Sequence, residues 1–393
     1  MADLVLKARQ DRRVRHGHLW VYSNEVDVKR TPLDAFRPGD EVNVLSHNGE
    51  FLARATVNPN TLVCARVYGR KPDQPLNTTL LQTRIQQALT VRETAFDTPH
   101  YRLVHGEGDL LPGLVVDRFG EHVVVQLGTA GLERVRDDLL AALENTLSPA
   151  GILFRNDSRA RDMEGLTEEV VVASGDVPDR VEVVEGGLRF AVDPHRGQKT
   201  GWFYDQRPNR QALRQWVRGK RVLDLFSYVG AWSLAAAHGG ATEVVAVDSS
   251  ASAMASLSEN AQINQLAVDA RTGDALAVLK QLRESGEQFD VVVLDPPALI
   301  KRRKDHRAGL KHYHALNQNA VRVLAPGGVL VSCSCSHHLA DSELASVVEQ
   351  AAHRRGCVAQ TVSRGDQGPD HPVHPAMVET RYLKTLTSRL TSF

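Results

Sequence analysis

Hydrophobic and polar positions divide the chain into two regimes. Up to about residue 194, short apolar runs alternate with turn-forming clusters, the pattern of strands and hairpins. EVNVL, FLARATV and LVCARVY, all within residues 1–74, are strand-like, and Pro38-Gly39 and Asn48-Gly49 mark turns. Pro72 to Pro75 reads as a linker. Leu80 to Ala95 has a helical period in Leu80, Leu81, Ile85, Ala88, Leu89 and Val91. RLVHGEGDLLPGLVVDRFGEHVVVQL predicts strands and a hairpin, followed by a helix from about Leu132 to Leu147 and a strand GILFRND. VEVVEGGLRFAVDP predicts a second hairpin with Gly186-Gly187 at its tip.

From about His195 strands and helices alternate. Val222 to Phe226 is a buried strand, Ala231 to His238 a helix ended by Gly239-Gly240, and Val244 to Val247 a second strand closed by Asp248. Ser249 or Ser250 can cap a helix running to about Asn264. Ala270 to Gly273 leads to Asp274, and a helix follows from about Ala275 to Glu284. FDVVVLDPPAL is a strand broken at Asp295-Pro296-Pro297. Helices are expected from about Leu310 to Leu324 and from Ala340 to Arg354, with VLVSCSCS between them and final strands near 357–362 and 378–386. This alternation predicts a doubly wound α/β sheet.

Composition narrows the class without naming a partner. The 393 residues suggest two or three domains, and 42% hydrophobic with 24% charged residues is ordinary globular material. Lys+Arg and Asp+Glu both total 47, so only local charge can argue for nucleic acid. Four cysteines are too few for a disulfide framework, and no run reaches the roughly 18 apolar residues of a membrane span. A cytoplasmic location is the expectation, and a homodimer is held open.

The first βαβ unit places a ligand outside the carboxyl ends of its strands. Its turn is not G-x-G-x-x-G, since only Gly230 is glycine, which disfavours a dinucleotide pyrophosphate. Acids at both strand tips, Asp224 and Asp248, suit a ligand without phosphates. S-adenosylmethionine, a cation with a ribose and an adenine, is such a ligand. Asp248 is expected at the ribose hydroxyls and Asp274 at the adenine amino group.

Asp295 stands where proline forces the chain out of the sheet, facing the same crevice. Cys333 and Cys335 share one face of the next strand by alternation. They can be buried small hydrophobes. Zinc is a poor fit, because C-x-C-x-H-H on one strand end cannot wrap a tetrahedron. The third alternative is a nucleophile. A thiol and a carboxyl beside a methyl donor are what methylation of a pyrimidine at carbon 5 requires: thiolate addition at C6 makes C5 an enamine carbon. Cys335 lies nearer the strand tip than Cys333, which favours it as the attacking group.

Two basic clusters are candidate RNA contacts. Arg9, Arg12, Arg13 and Arg15 flank His16-Gly17 with Trp20 and Tyr22 beyond, and Lys301, Arg302, Arg303 and Lys304 follow Asp295. The first arrangement resembles a PUA domain, an RNA-binding β-barrel.

Taken together, GQKTGWFYDQRPNR (197–210), VLDLFSYVGAWS (222–233), VAVDSS (245–250), GDA (273–275), VVLDPPA (292–298), SCSCS (332–336) and DHPVHPAMVETRYLK (370–384) resemble the RlmI-type class I methyltransferases, which act on carbon 5 of cytosine in 23S ribosomal RNA. The resemblance spans essentially the whole chain. It implies a PUA β-barrel (1–74), a central α+β domain (75–194) and a Rossmann-like methyltransferase domain (195–393). It implies Cys335 as nucleophile with Asp295 as partner. It also implies a donor pocket shaped by Gln198, Lys199, Asp205, Gln206, Arg207, Asp224, Phe226, Ser227, Gly230, Asp248, Ser249, Asp274, Ala275, Asp295 and Pro296. Leu299 departs from the aromatic residue often following D-P-P-x, and Cys333 adds a second thiol. The substrate would be 23S RNA or a large-subunit assembly intermediate. The competing functions are methylation of uridine C5 or of a base amino group, and a non-catalytic RNA-binding assembly factor.

Overall fold

The computed structural model describes residues 2–392. The chain forms two compact units and passes between them several times. One contains the residues up to Val181, with Asp193–Tyr204 and Pro369–Thr380; the other contains Glu182–Val192, Asp205–Gly368 and the chain from Arg381 onward.

The first unit holds two five-stranded sheets. In one, the strands run in the order Ala2–Val5, Asp40–Leu45, Phe51–Val57, Val63–Gly69, Trp20–Tyr22, antiparallel except for the first pair. Alternate residues Val42, Val44, Ala53, Ala55, Val57, Ala65 and Val67 point into one core, as a half-buried sheet requires. The other sheet is mixed, in the order Glu169–Gly175, Gly151–Asn156, His122–Leu127, Leu114–Phe119, His100–His105. The helices Thr78–Ala95 and Arg136–Leu147 cover it with Leu81, Ile85, Leu89, Leu139 and Leu143. The single helix expected from Leu132 to Leu147 is therefore two, Ala130–Arg134 and Arg136–Leu147, joined at Val135.

The segment Pro369–Thr380 belongs to this first unit and is fastened there by buried polar contacts. The Asp370 carboxylate accepts from the Arg102 backbone N–H at 3.1 Å, and its carbonyl accepts from Arg92 Nη2 at 2.9 Å. Arg92 is fully buried, which is tolerable because Asp109 takes a bidentate pair at 2.7 Å and the Arg102 carbonyl takes Nε. Met377 enters the first core and its sulfur accepts from the Leu19 N–H. The expected strand at 378–386 is corrected accordingly. Val378–Thr380 is a 3₁₀ turn in this segment, and the strand is Lys384–Ser392.

The second unit is a seven-stranded sheet: β1 (Arg221–Leu225), β2 (Glu243–Asp248), β3 (Asp269–Thr272), β4 (Phe289–Leu294), β5 (Leu324–Ser334), β6 (Cys357–Gly365) and β7 (Lys384–Ser392). The spatial order is 3-2-1-4-5-7-6. β1 to β5 are parallel, and β7 is antiparallel to both neighbours. Its helices are α1 (Arg207–Val217), α2 (Ala231–His238), α3 (Ala251–Ile263), α4 (Ala275–Ser285), α5 (His306–Arg322) and α6 (Asp341–His353). Both faces are covered, which explains the unbroken apolar runs. Leu223, Leu225, Val245, Val247, Val292 and Leu294 pack on α4, α5 and α6. Val222, Val244, Val291, Val293, Val331 and Cys333 pack on α1 and α2. A hairpin tipped by Gly186 and Gly187, both at positive φ, leans on this unit through Glu185, which pairs with Arg210 at 2.6 Å and Arg207 at 3.4 Å.

Gly230 caps α2 at φ +93°, and a Cβ there would lie 2.7 Å from Leu257 Cγ and 2.9 Å from Leu234 Cδ1. Left-handed strain and crowding act together at this site. Gly230→Ala is expected to destabilise the fold by about 2–4 kcal/mol. Urea denaturation checks this, and an unchanged midpoint would show that the loop relaxes without cost.

Candidate active site

β1 to β5 are parallel, so their carboxyl ends meet along one edge of the sheet. Asp224 is the penultimate residue of β1, Asp248 ends β2, Asp274 follows β3, Asp295 follows β4 and Cys335 follows β5. The order reverses between β1 and β4, the position at which open α/β sheets bind ligands.

The turn after β1 is strained. Phe226 and Tyr228 have φ of 66° and 48°, left-handed values that cost a non-glycine residue roughly 1–3 kcal/mol. Asp248 holds the turn: Oδ2 accepts from the Tyr228 N–H at 3.0 Å and Oδ1 from the Ser250 N–H at 2.9 Å. Each oxygen keeps a lone pair for a ribose hydroxyl. Ser250, rather than Ser249, caps α3, its hydroxyl accepting from Ala253. Ser227 is buried and Ser249 exposed. Asp274 caps α4 through the Ala277 N–H at 3.0 Å and remains exposed beside buried Ala275.

Asp224 is the deepest of these acids. It is fully buried, and Oδ2 accepts from Ser233 Oγ at 2.5 Å while Oδ1 is buried without a hydrogen-bond partner. Burial, with the Asp295 and Asp248 charges adding, pushes its carboxyl up to about 7. A buried acid with an open oxygen suits a cationic ligand. This is the feature of the chain that fits S-adenosylmethionine.

Asp295 is held from two sides. Trp232 Nε1 on α2 donates to Oδ2 and Gln206 Nε2 donates to Oδ1, both at 2.9 Å. Gln206 is fixed in turn by Asn209 Nδ2 at 2.7 Å. Burial raises the Asp295 carboxyl to about 6; the Trp232 bond opposes that, the Asp205 charge adds to it, and Gln206 and Arg210 oppose it. Asp205 accepts from the Tyr382 hydroxyl at 2.7 Å, and Arg207 is turned toward Glu185. The D-Q-R segment thus braces the D-P-P turn and its surroundings.

The two thiols differ as their positions on β5 imply. Cys333 is fully buried against α1 and α2, and burial pushes its thiol well above the ordinary range. Cys335 lies just past the strand end, is partly exposed, and directs Sγ to the Pro296 carbonyl at 3.9 Å. A hydroxyl network fixes this turn. Tyr313 on α5 bonds Ser334 Oγ at 2.8 Å and Ser336 Oγ at 2.9 Å, and Ser336 Oγ accepts from the Ile300 N–H at 3.0 Å. Lys384 Nζ donates to the Ser336 carbonyl at 2.9 Å. Neither Trp232 nor Tyr313 is marked by local sequence as a support of the site, and Lys384 is marked only as the end of the D-H-P…Y-L-K tail.

Gln198 and Lys199 lie on the segment Asp193–Tyr204 of the first unit, where Lys199 Nζ stacks 4.3 Å above the Phe203 ring. Of the amino-terminal arginines, Arg13 pairs with Glu25 over the Tyr22 ring, and Arg15 pairs with Asp11 and Glu50. Arg9 and Arg12 are exposed, as are Lys301, Arg302, Arg303 and Lys304, with Arg302 bonded to Asp305. Among the described residues, no cluster of three or more His, Cys, Asp or Glu side chains could hold a metal ion.

Removing the indole donor by Trp232→Phe should raise the Asp295 titration midpoint above its present value of about 6, because the bond favours the ionised form. Carboxyl-carbon NMR titration measures it, and an unmoved midpoint would show that the indole bond does not tune the acid.

The model of the S-adenosylmethionine-dependent methyltransferase family matches residues 160–385, and that of the PUA-like domain matches residues 4–70. The ribosomal RNA large subunit methyltransferase I proteins of Cronobacter sakazakii and Tolumonas auensis are each 34% identical to this chain. The first match covers 97% of both chains and the second 98% of both. Among solved structures, a methyltransferase-fold protein complexed with SAH superposes with a TM-score of 0.85 at 22% identity, covering 99% of this chain and 100% of that one. Another, from Streptococcus mutans, gives 0.83 at 21% identity with the same coverage. The chain belongs to the S-adenosylmethionine-dependent methyltransferases, in the family of the ribosomal RNA large subunit methyltransferase I proteins.

Proposed function

We propose that this enzyme methylates carbon 5 of a cytosine in 23S ribosomal RNA through a covalent bond between Cys335 and C6. The observation that carries the proposal is the Cys335 thiol seated on the Pro296 carbonyl, next to Asp295 with its raised carboxyl. The relatives, ribosomal RNA large subunit methyltransferase I proteins, point to large-subunit ribosomal RNA as the substrate.

Bound S-adenosylmethionine supplies an electrophilic methyl group. Asp248 would hold its ribose, Asp274 and Ala275 its adenine and Asp224 its cationic portion, with Phe226, Ser227, Gly230 and Ser249 as the surrounding backbone. Cytosine C5 is a poor nucleophile until C6 is attacked. Cys335 adds to C6, and Asp295 gives a proton to N3 or bonds it, which places electron density on C5. C5 would then take up the donor's methyl group; a base would remove the C5 proton as the C6–S bond breaks, and N3 would return its proton to Asp295, which frees the thiolate and restores the ring. The base must leave its stack to reach Cys335. Exposed Arg9, Arg12 and Lys301–Lys304 attract the phosphates, with residues 1–74 as the RNA-binding β module, 75–194 as a spacer and 195–393 as the catalytic domain. A ribosomal RNA substrate implies a cytoplasmic enzyme.

RNA carrying 5-fluorocytosine tests this, because fluorine cannot leave C5 as a proton does. An adduct on the Cys335 peptide by mass spectrometry is expected, with a loss of activity of about 10⁴-fold or more in Cys335→Ala. An adduct on Cys333, or a Cys335→Ala enzyme that still methylates, overturns the mechanism.

Asp224 generates a second expectation. Its carboxyl is near 7 without ligand, and a bound cation lowers it. Between those values donor binding must release a proton, so affinity rises with pH, by up to about tenfold per unit below pH 7. Calorimetry in buffers of different ionisation heats measures the release. Asp224→Asn should abolish it, and a release that persists assigns the proton elsewhere.

A further inference from the structure

Lys384 opens β7 and is only 5% exposed. It pairs with Ser334 across the β5–β7 ladder, and its ammonium donates to the carbonyls of Ser336 and Tyr382, each at 2.9 Å. Cys335 therefore lies between the two residues that Lys384 engages on the thiol turn. Two of its three N–H donors reach backbone oxygens and one remains. A buried ammonium satisfied only by carbonyl dipoles is poorly compensated and calls for an anion nearby. The acids that bear on it, Asp341 on α6 and Asp366, are both ion-paired to Arg381, at 2.9 and 2.8 Å.

Four other titratable groups near the thiol turn are not cations. Tyr313 from α5 is kept protonated by burial, Cys333 is a neutral buried thiol, and Asp295 beside Pro296 is an acid. His338, two residues beyond Ser336, is held below its ordinary value by burial first and then by His337, Arg303 and His306.

We propose that Lys384 is a positioning residue whose ammonium holds Cys335 as the thiolate that adds to the base. This rests on Cys335 being the nucleophile. Burial lowers the Lys384 pKa, Asp341 raises it, Arg381 lowers it, and Cys335 and Asp366 add smaller raising contributions; the pair persists between the deprotonation of the thiol and that of the amine. The same contact orients the turn, because the carbonyl that Lys384 grips belongs to the residue after Cys335.

The test is the pH profile of iodoacetamide alkylation in the full-length enzyme, read on the Cys335 peptide. In the unmodified protein the midpoint should fall below the ordinary cysteine value of about 8.5. Lys384→Gln keeps an N–H donor for the carbonyls but removes the charge, and should raise the midpoint by about one unit or more. Lys384→Arg keeps the charge and should leave the midpoint near that of the parent. Buried Cys64 and Cys333 stay unlabelled in any variant that has folded. A parent midpoint at or above about 8.5 overturns the proposal even if no variant folds. So does a folded Lys384→Gln with an unmoved midpoint. An adduct of 5-fluorocytosine on Cys335 with an unshifted midpoint sinks the Lys384 role alone. A shifted midpoint without an adduct supports the ion pair and removes the nucleophile.

Discussion

The site depends on the cost of keeping carboxyl groups out of water at the strand tips. A hydrogen bond to a charged group contributes about 1.5–3 kcal/mol, so the number of donors decides how far desolvation can push each acid. Asp295 has two neutral donors, Trp232 and Gln206, and rises to about 6. Asp224 has Ser233 and an oxygen with none, and rises to about 7. Both values lie above the ordinary value of about 3.9 of the unfolded chain. The folded state therefore holds more protons between those limits, and its stability falls as pH rises from about 4 to 7. Below that window both states are protonated and the groups contribute nothing. A cation at Asp224 offsets the cost.

A second constraint fixes the thiol turn. The D-P-P turn after β4 and the S-C-S turn after β5 are stitched through Ile300, Ser336, Tyr313 and Ser334. α5 lies against the first of these so closely that a Cβ on Gly309 would stand 2.5 Å from the Leu299 carbonyl. Neither turn can shift without the other. The relative placement of Asp295 and Cys335 is built into backbone and hydroxyl contacts.

The parallel strands were legible because burial on both faces writes continuous apolar runs, and their tips followed from chain direction alone. The cap of α3 was equally local, Ser250 being one of the two serines the sequence offers. What stayed hidden was long-range. Trp232 lies 63 residues from Asp295 and Lys384 lies 48 from Ser336, and no periodicity reports such pairs. The last strand begins later than 378 because Val378–Thr380 forms a 3₁₀ turn next to Met377, which enters the core of the first unit, a long-range contact that local pattern does not report. The amino-terminal arginines read as one basic cluster, but acids distant in sequence neutralise Arg13 and Arg15.

The competing proposal of base-amino methylation meets a physical difficulty here. That chemistry uses the D-P-P backbone to polarise an amine, which needs an accepting carbonyl open to the substrate. In this protein the Pro296 carbonyl already faces the Cys335 thiol, and the Ile300 N–H is taken by Ser336. Lys384, buried at the same turn, donates to the Ser336 carbonyl. Under carbon-5 chemistry each of these features has an electrostatic use. The carbonyl orients the thiol, Lys384 favours its ionised form, and Asp295, poised near 6, can exchange a proton with the ring nitrogen close to neutral pH.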